Sequence, residues 1–369
     1  MKNIHLLLTF FLVFGAISCG NNGTTDPEEP DNNFDRKELL VDVADGIIMP
    51  AYEDYVGKIQ TLNSFANSFV VDPSIENLDL LRGYWLDAYT SWQYVSMFDL
   101  GKAEEISLRN FTNIYPTNAH EIEENISTGN YNFELPSKND EQGFPALDYL
   151  LFGIEESNES IALKYTETSY SNYLTDLTQK LDDMSTSVLD DWKTGYRESF
   201  INNDGTSATS SVNKLVNDYL FYYEKYLRAG KIGIPAGVFS GDPLSDKVEG
   251  LYAGNVSKIL FLTGLEACKK FFNGTNYNTD AIGTGLKTYL DYLNTIKEGD
   301  DLSKLINAQF DATKEKANDL NDNFTSQIQT DNMQMLATYD DLQKNVILLK
   351  VDMLQALNIK VDFVDADGD

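Results

Sequence analysis

The sequence predicts an all-α protein arranged as two four-helix bundles. Three observations lead there. Apolar residues recur at steps of three and four through most of the chain, the spacing that lines one face of a helix. No alternating run is long enough to build a sheet against them. The 369 residues, 42% hydrophobic and 12% aromatic, suffice for two bundles of about four helices each.

In chain order, the first 19 residues stand outside the fold. Lys2 supplies a positive start, Leu6 to Phe14 an apolar stretch, and Ala16-Ile17-Ser18-Cys19 a small-residue cleavage site ending in Cys. The pattern resembles a bacterial lipoprotein signal, which implies that Cys19 becomes the lipidated first residue. Residues 20–35 hold only one large apolar side chain, Phe34, among Asn, Gly, Thr, Pro, Asp and Glu. They read as a flexible acidic tether.

From Tyr55, the residues Ile59, Leu62, Ala66 and Phe69 form the first stripe, and Pro50 just upstream is expected to start or kink it. Leu78, Leu81, Trp85, Ala88, Trp92 and Val95 form the second, stopped near Gly101. In residues 143–153, Gly143-Phe144-Pro145 reads as a tight helix start, because proline in a first turn sacrifices no hydrogen bond. Tyr173, Leu177, Leu181, Met184 and Val188 follow, then a polar turn at 202–207, then Leu215, Tyr219, Tyr222 and Tyr226. Residues 229–246 contain Gly230, Gly233, Pro235, Gly237, Gly241 and Pro243, too many breakers for a helix. They are expected to form a crossover loop. Helical stripes resume over 251–272, 282–296, 302–328 and 336–357, the last being the most regular. The expected domains are therefore 36–200 and 201–369.

With 58 acidic and 28 basic residues the net charge is −30, which argues against nucleic acid as a partner. Of the two cysteines, Cys19 is assigned to lipid, so Cys268 has no partner and reads as a small buried hydrophobe. No later stretch is long and apolar enough to span a bilayer.

Asp148 sits among Leu147, Leu150 and Leu151. A carboxylate in such a place must be paired, hydrogen-bonded or functional. Arg109 lies in a segment with few other bases, where a guanidinium can pair with Asp148, clamp an anion, or bridge helices. The chain has two histidines, and His5 belongs to the signal, leaving His120. His120 with Glu123 or Glu124 shares a helix face as metal ligands do, and equally as ordinary surface groups do. There is no HExxH and no G-x-S-x-G, so neither a histidine-rich zinc peptidase nor a serine hydrolase is indicated. Carboxylates and 21 tyrosines supply oxygen donors of the kind that hold ferric iron. Residues 362–369 are rich in Asp but lack the spacing of a calcium loop, and read as a solvated tail.

Several segments together resemble the imelysin-like family of bacterial envelope proteins: residues 47–52, the Leu81 to Trp92 helix, Arg109 with Tyr115-Pro116, residues 143–153, Glu249 to Tyr252, and residues 348–369. The resemblance implies a duplicated four-helix bundle, a site between the bundles, and a role in bacterial iron uptake. Imelysin itself is classed as a metallopeptidase. The family's marker, Gly-x-His-x-x-Glu, stands here as Gly143-Phe144-Pro145-Ala146-Leu147-Asp148. Proline cannot ligate a metal, and Asp is one methylene shorter than Glu. The expected site is therefore a ligand-binding crevice of Asp148, Arg109, Glu249 and Tyr252, with Asp148 and His120 as candidate metal ligands. The expected function is a non-enzymatic, membrane-anchored protein of iron uptake, with iron or haem as cofactor or ligand and an uptake receptor as a candidate partner. The alternatives are a partner-binding scaffold, which would use the 229–246 loop, and a metallopeptidase.

Overall fold

Asp35 caps the first helix by accepting the Glu38 N–H at 2.9 Å, and α1 then runs unbroken over residues 36–69. This computed structural model describes residues 34–279 and 281–363. The expected signal with Cys19, most of the tether and the acidic end from 364 lie outside the described residues.

Pro50 falls inside α1 rather than at its start. The turn Ala44–Ile48 widens to π geometry, with the Met49 N–H reaching the Ala44 carbonyl five residues back. The wider turn absorbs the ring and the missing N–H of proline. After α1 come α2 (Ile75–Val95), α3 (Ala119–Thr128), α4 (Gly143–Phe152), α5 (168–202, bent at Gly195) and α6 (211–236). They are followed by α7 (Ser257–Asn273), α8 (Leu286–Tyr292), α9 (Leu302–Asn318) and α10 (324–357, kinked at Asp331). Apart from one isolated bridge, the only strand pairing among the described residues is Ile296–Lys297 against Asp300–Asp301. The fold is all-α, as the stripes require.

Three expectations need correction. The segment 229–246 is helical as far as Ala236. Tyr222–Gly233 is π-helical and the Ile234 N–H reaches Ala229 O, the device already seen ahead of Pro50. The glycines there serve packing: a Cβ on Gly233 would meet the Tyr339 ring at 2.7 Å. The 282–296 stripe is helical only over Leu286–Tyr292, because Asn294 adopts a positive φ and Ile282 and Ile296 are exposed. The 302–328 stripe breaks after Asn318, and Asn323 caps the next helix by accepting the Ser326 N–H.

α1 packs on α2 and α5; α10 packs on α6 and α9. α2 also packs on α7, across the expected boundary at 200/201. Phe98 meets Phe271 edge-on at 5.5 Å, Tyr277 donates to Asp54 at 2.6 Å, and Asp42 accepts the Thr284 N–H at 2.6 Å. The described residues form one compact unit, with Trp85, Trp92, Tyr52, Tyr219 and Tyr223 fully buried along its core.

Candidate functional site

The short helix Leu108–Thr112 turns Arg109 inward beneath the end of α2. Its Nε donates to Ser96 O at 2.7 Å and its Nη2 to Asp218 Oδ1 at 2.9 Å, while Nη1 lies 3.7 Å from Asp99 Oδ2. The guanidinium also sits 5.0 Å from the Tyr226 ring centre. Only 4% of Arg109 is exposed, so its charge must be met locally, and Asp218 of α6 meets it. Burial pushes the Asp218 carboxyl up to about 6; the charge of Asp99 adds to this and that of Arg109 opposes it. The pairing of Arg109 with Asp148 does not form.

Glu249 lies in the turn before α7 and is 2% exposed. Its carboxylate accepts from Asn113 at 2.8 Å, from Gln93 at 3.4 Å and from the Lys231 ammonium. Asn113 in turn accepts the Tyr89 hydroxyl at 2.6 Å. Lys231 is carried inward by the π-helical stretch of α6; burial lowers its pKa and the Glu249 charge works against that. Of these two buried ion pairs, Arg109–Asp218 joins the first half of the chain to the second, and Lys231–Glu249, within the second half, is tied to the first through Asn113 and Gln93. A cavity of about 10 Å³ between them, bordered by Arg109, Asn113, Tyr222 and Lys231, has the space of a single water.

α4 starts at Gly143, where φ is +77° and a Cβ would lie 2.2 Å from Thr112 O. Only glycine permits that approach. Five residues on, Asp148 accepts the Tyr252 N–H at 2.9 Å and the Ala253 N–H at 2.8 Å, one on each carboxylate oxygen. Burial pushes its carboxyl up to about 7; these two N–H groups oppose the rise and the Glu249 charge adds to it. The Tyr252 ring packs edge-on against Tyr149, 5.1 Å between centres. Asp148 therefore clasps the turn that carries Glu249.

Asp148, Glu249 and Arg109 lie along one polar seam, but each is bonded to a different partner and they do not converge on a shared ligand position. Sequence reasoning missed Asp99, Asp218, Asn113 and Lys231. Asp218 was detectable as an acid one position before Tyr219 in a buried stripe. Lys231 was hidden by the glycines around it.

Beyond Arg109 the seam opens into a cleft of about 220 Å³, bordered by Asp99, Glu104, Lys214, Asp218, Phe221 and Phe363. Its outer wall is held by Asn217, whose amide donates to Lys360 O at 3.0 Å and accepts the Asp362 N–H at 3.1 Å. His120 lies elsewhere, exposed on α3. The expected face-sharing with Glu123 fails, because Glu123 accepts the hydroxyls of Tyr149 (2.7 Å) and Tyr170 (2.5 Å). Glu121 and Glu124 are its neighbours, with one ligand atom of each of the three residues within 4.8 Å of the others.

No curated protein matches the chain. Among solved structures, an imelysin-like protein from Psychrobacter arcticum 273-4 superimposes with a TM-score of 0.69 at 18% identity, over 89% of this chain and 97% of that one. An iron-regulated protein A precursor from Parabacteroides distasonis ATCC 8503 gives 0.70 at 18% identity, over 86% and 95% respectively. At that identity the likeness establishes the shared fold. The imelysin family profile matches residues 48–349, a span running from the π turn of α1 through the clasp and both buried ion pairs into α10, and the chain belongs to the imelysin family.

Proposed function

We propose that this chain is a non-enzymatic binding protein of bacterial iron uptake, held at the cell envelope by lipid on Cys19. The observation that carries the reading is the use made of the family marker. Pro145 supplies no ligand where the family has an imidazole, and Asp148 spends one oxygen on each of two backbone N–H groups. A metal-activated water needs open coordination and free donors, and this helix offers neither. The cleft beside Arg109 is the place for a ligand. Its volume of about 220 Å³ lies below the roughly 300 Å³ at which sites for drug-sized molecules begin, which suits a small iron complex. Asp99 keeps one buried carboxylate oxygen with no hydrogen-bond partner among the described residues, an oxygen donor of the kind iron takes. The iron-regulated neighbour agrees with this role. No helix among the described residues is long and apolar enough to cross a membrane.

Equilibrium dialysis of the purified protein against ferric citrate tests the reading, with peptide hydrolysis assayed in parallel with and without chelator. Saturable iron binding weakened by Asp99→Asn or Glu104→Gln supports it. Chelator-sensitive hydrolysis, or iron uptake indifferent to both substitutions, overturns it. Membrane fractionation of Cys19→Ala tests the anchor. A partner-binding role is the second reading, favoured by the exposed apolar residues Ile234, Phe239 and Met333 around the segment 229–246. Iron-independent capture of an uptake receptor, lost on Phe239→Ser, would favour it.

A further inference from the structure

His120 carries the only imidazole among the described residues. Its neighbours Glu121 and Glu124 bring two carboxylates, and one donor atom from each of the three lies within 4.8 Å of the others. His120 and Glu124 are one turn apart on α3, the spacing at which a helix presents two ligands to one ion. The geometry points to a divalent-metal site on this face, taking an ion of the zinc, cobaltous or ferrous type.

The backbone that carries the three side chains is fixed before any ion arrives. Ile122 and Ile126 are buried beneath it, Asn118 caps it, and Glu123 is tied to α4 and α5 through Tyr149 and Tyr170. A rigid element spares the backbone part of the ordering cost, leaving only the side-chain rotamers to be fixed on binding. Among the described residues, the side chains of His120 and Glu124 make no hydrogen bond or ion pair. Glu121 is shared with Lys138 at 3.2 Å, but that ammonium lies closer to Glu141, at 2.7 Å. One nitrogen and two carboxylate oxygens, with water completing the shell, suit borderline cations; calcium and magnesium prefer all-oxygen sets.

Two effects oppose binding, the first being the Lys138 ammonium held on Glu121 at 3.2 Å. The second is that the trio begins in the first turn of α3, where the helix dipole disfavours a cation by about two- to fivefold. The site is separate from the marker on α4, where Pro145 displaces the imidazole, and separate from the cleft beside Arg109.

Titration of the purified mature protein with cobalt chloride, followed by visible absorption and equilibrium dialysis, tests the site. One ion per chain is expected, with affinity falling at least tenfold in His120→Ala and Glu124→Gln. Acidification should release the ion, because protons compete for the imidazole. Asp99→Asn, in the cleft, should leave cobalt binding unchanged, so failure here is distinguishable from failure of the iron-binding reading. His120 is exposed, and an unchanged urea midpoint for His120→Ala assigns its loss to the ligand. No saturable cobalt binding at millimolar concentration, or binding unaltered in His120→Ala, overturns the inference.

Discussion

Asp148 offers the sharpest test of the physical account, because its two effects on stability have opposite sign and different pH dependence. Its carboxyl moves from 3.8 in the unfolded chain to about 7 in the fold. Between those values the folded state holds more protons than the unfolded one, so stability falls as pH rises through the window. The rise is about three units at about 1.4 kcal/mol each, or about 4 kcal/mol. Asp148→Asn keeps the shape and removes the titration. Its amide can accept only one of the Tyr252 and Ala253 N–H groups, and leaving the other unmet costs about 1–3 kcal/mol. At pH 4.5 the wild-type carboxyl is protonated and keeps a weak second acceptor in its hydroxyl oxygen, which the amide NH2 lacks, so the variant should be less stable by about 1–2 kcal/mol. At pH 8 the wild type bears the cost of its buried charge, and the order should reverse by a similar margin. Urea unfolding at the two pH values measures both differences. A destabilisation that stays constant within about 1 kcal/mol between them would show that burial does not govern this carboxyl, and would refute the reasoning.

Gly143→Ala forces a Cβ to within 2.2 Å of Thr112 O at a φ of +77°; strain and overpacking together should cost about 3–5 kcal/mol, read as a shift in the urea midpoint. Arg109→Ala leaves the Asp218 carboxylate buried without its counter-ion and should cost about 3–5 kcal/mol by the same assay. Glu249→Gln should cost a comparable amount at neutral pH through Lys231, which is 3% exposed. That loss should ease as pH climbs, because Lys231, already held below its ordinary value by burial, sheds its proton in the fold before the unfolded chain does.

The stripes that end at Phe69 and Val95 were legible because a 3.6-residue period leaves its mark on any helix with one buried face. So was the tight start at Gly143-Phe144-Pro145, which rests on local sterics. The i→i−5 turns ahead of Pro50 and Pro235 were not, because proline and glycine report only what a regular α-helix cannot do. For the same reason the segment after Ala229 read as a loop, when Gly233 in fact lets Tyr339 approach. Arg109 could be recognised as a cation in need of a partner, but its partner could not: Asp218 lies 109 residues away, and nothing local distinguishes it from Asp148. Pairing across that distance is decided by where the Leu108–Thr112 helix meets α6, which no spacing encodes.

The altered marker separates two roles that a shared motif can hide. Gly143 is needed so that α4 can approach the backbone of Thr112, and the acid at 148 so that the turn before α7 is clasped. Neither role calls for an imidazole. Pro145 occupies the third position of α4, in the first turn, where N–H groups have no intrahelical partner and proline forfeits nothing. A proline there is therefore nearly free for the fold, and it brings no imidazole. The clasp needs only a carboxylate reaching two N–H groups, which Asp provides as bidentate acceptor at 2.8 and 2.9 Å. Structural demand alone accounts for a glycine and an acid at these positions, so their presence in this chain is evidence for the family's architecture and carries no weight for peptidase activity.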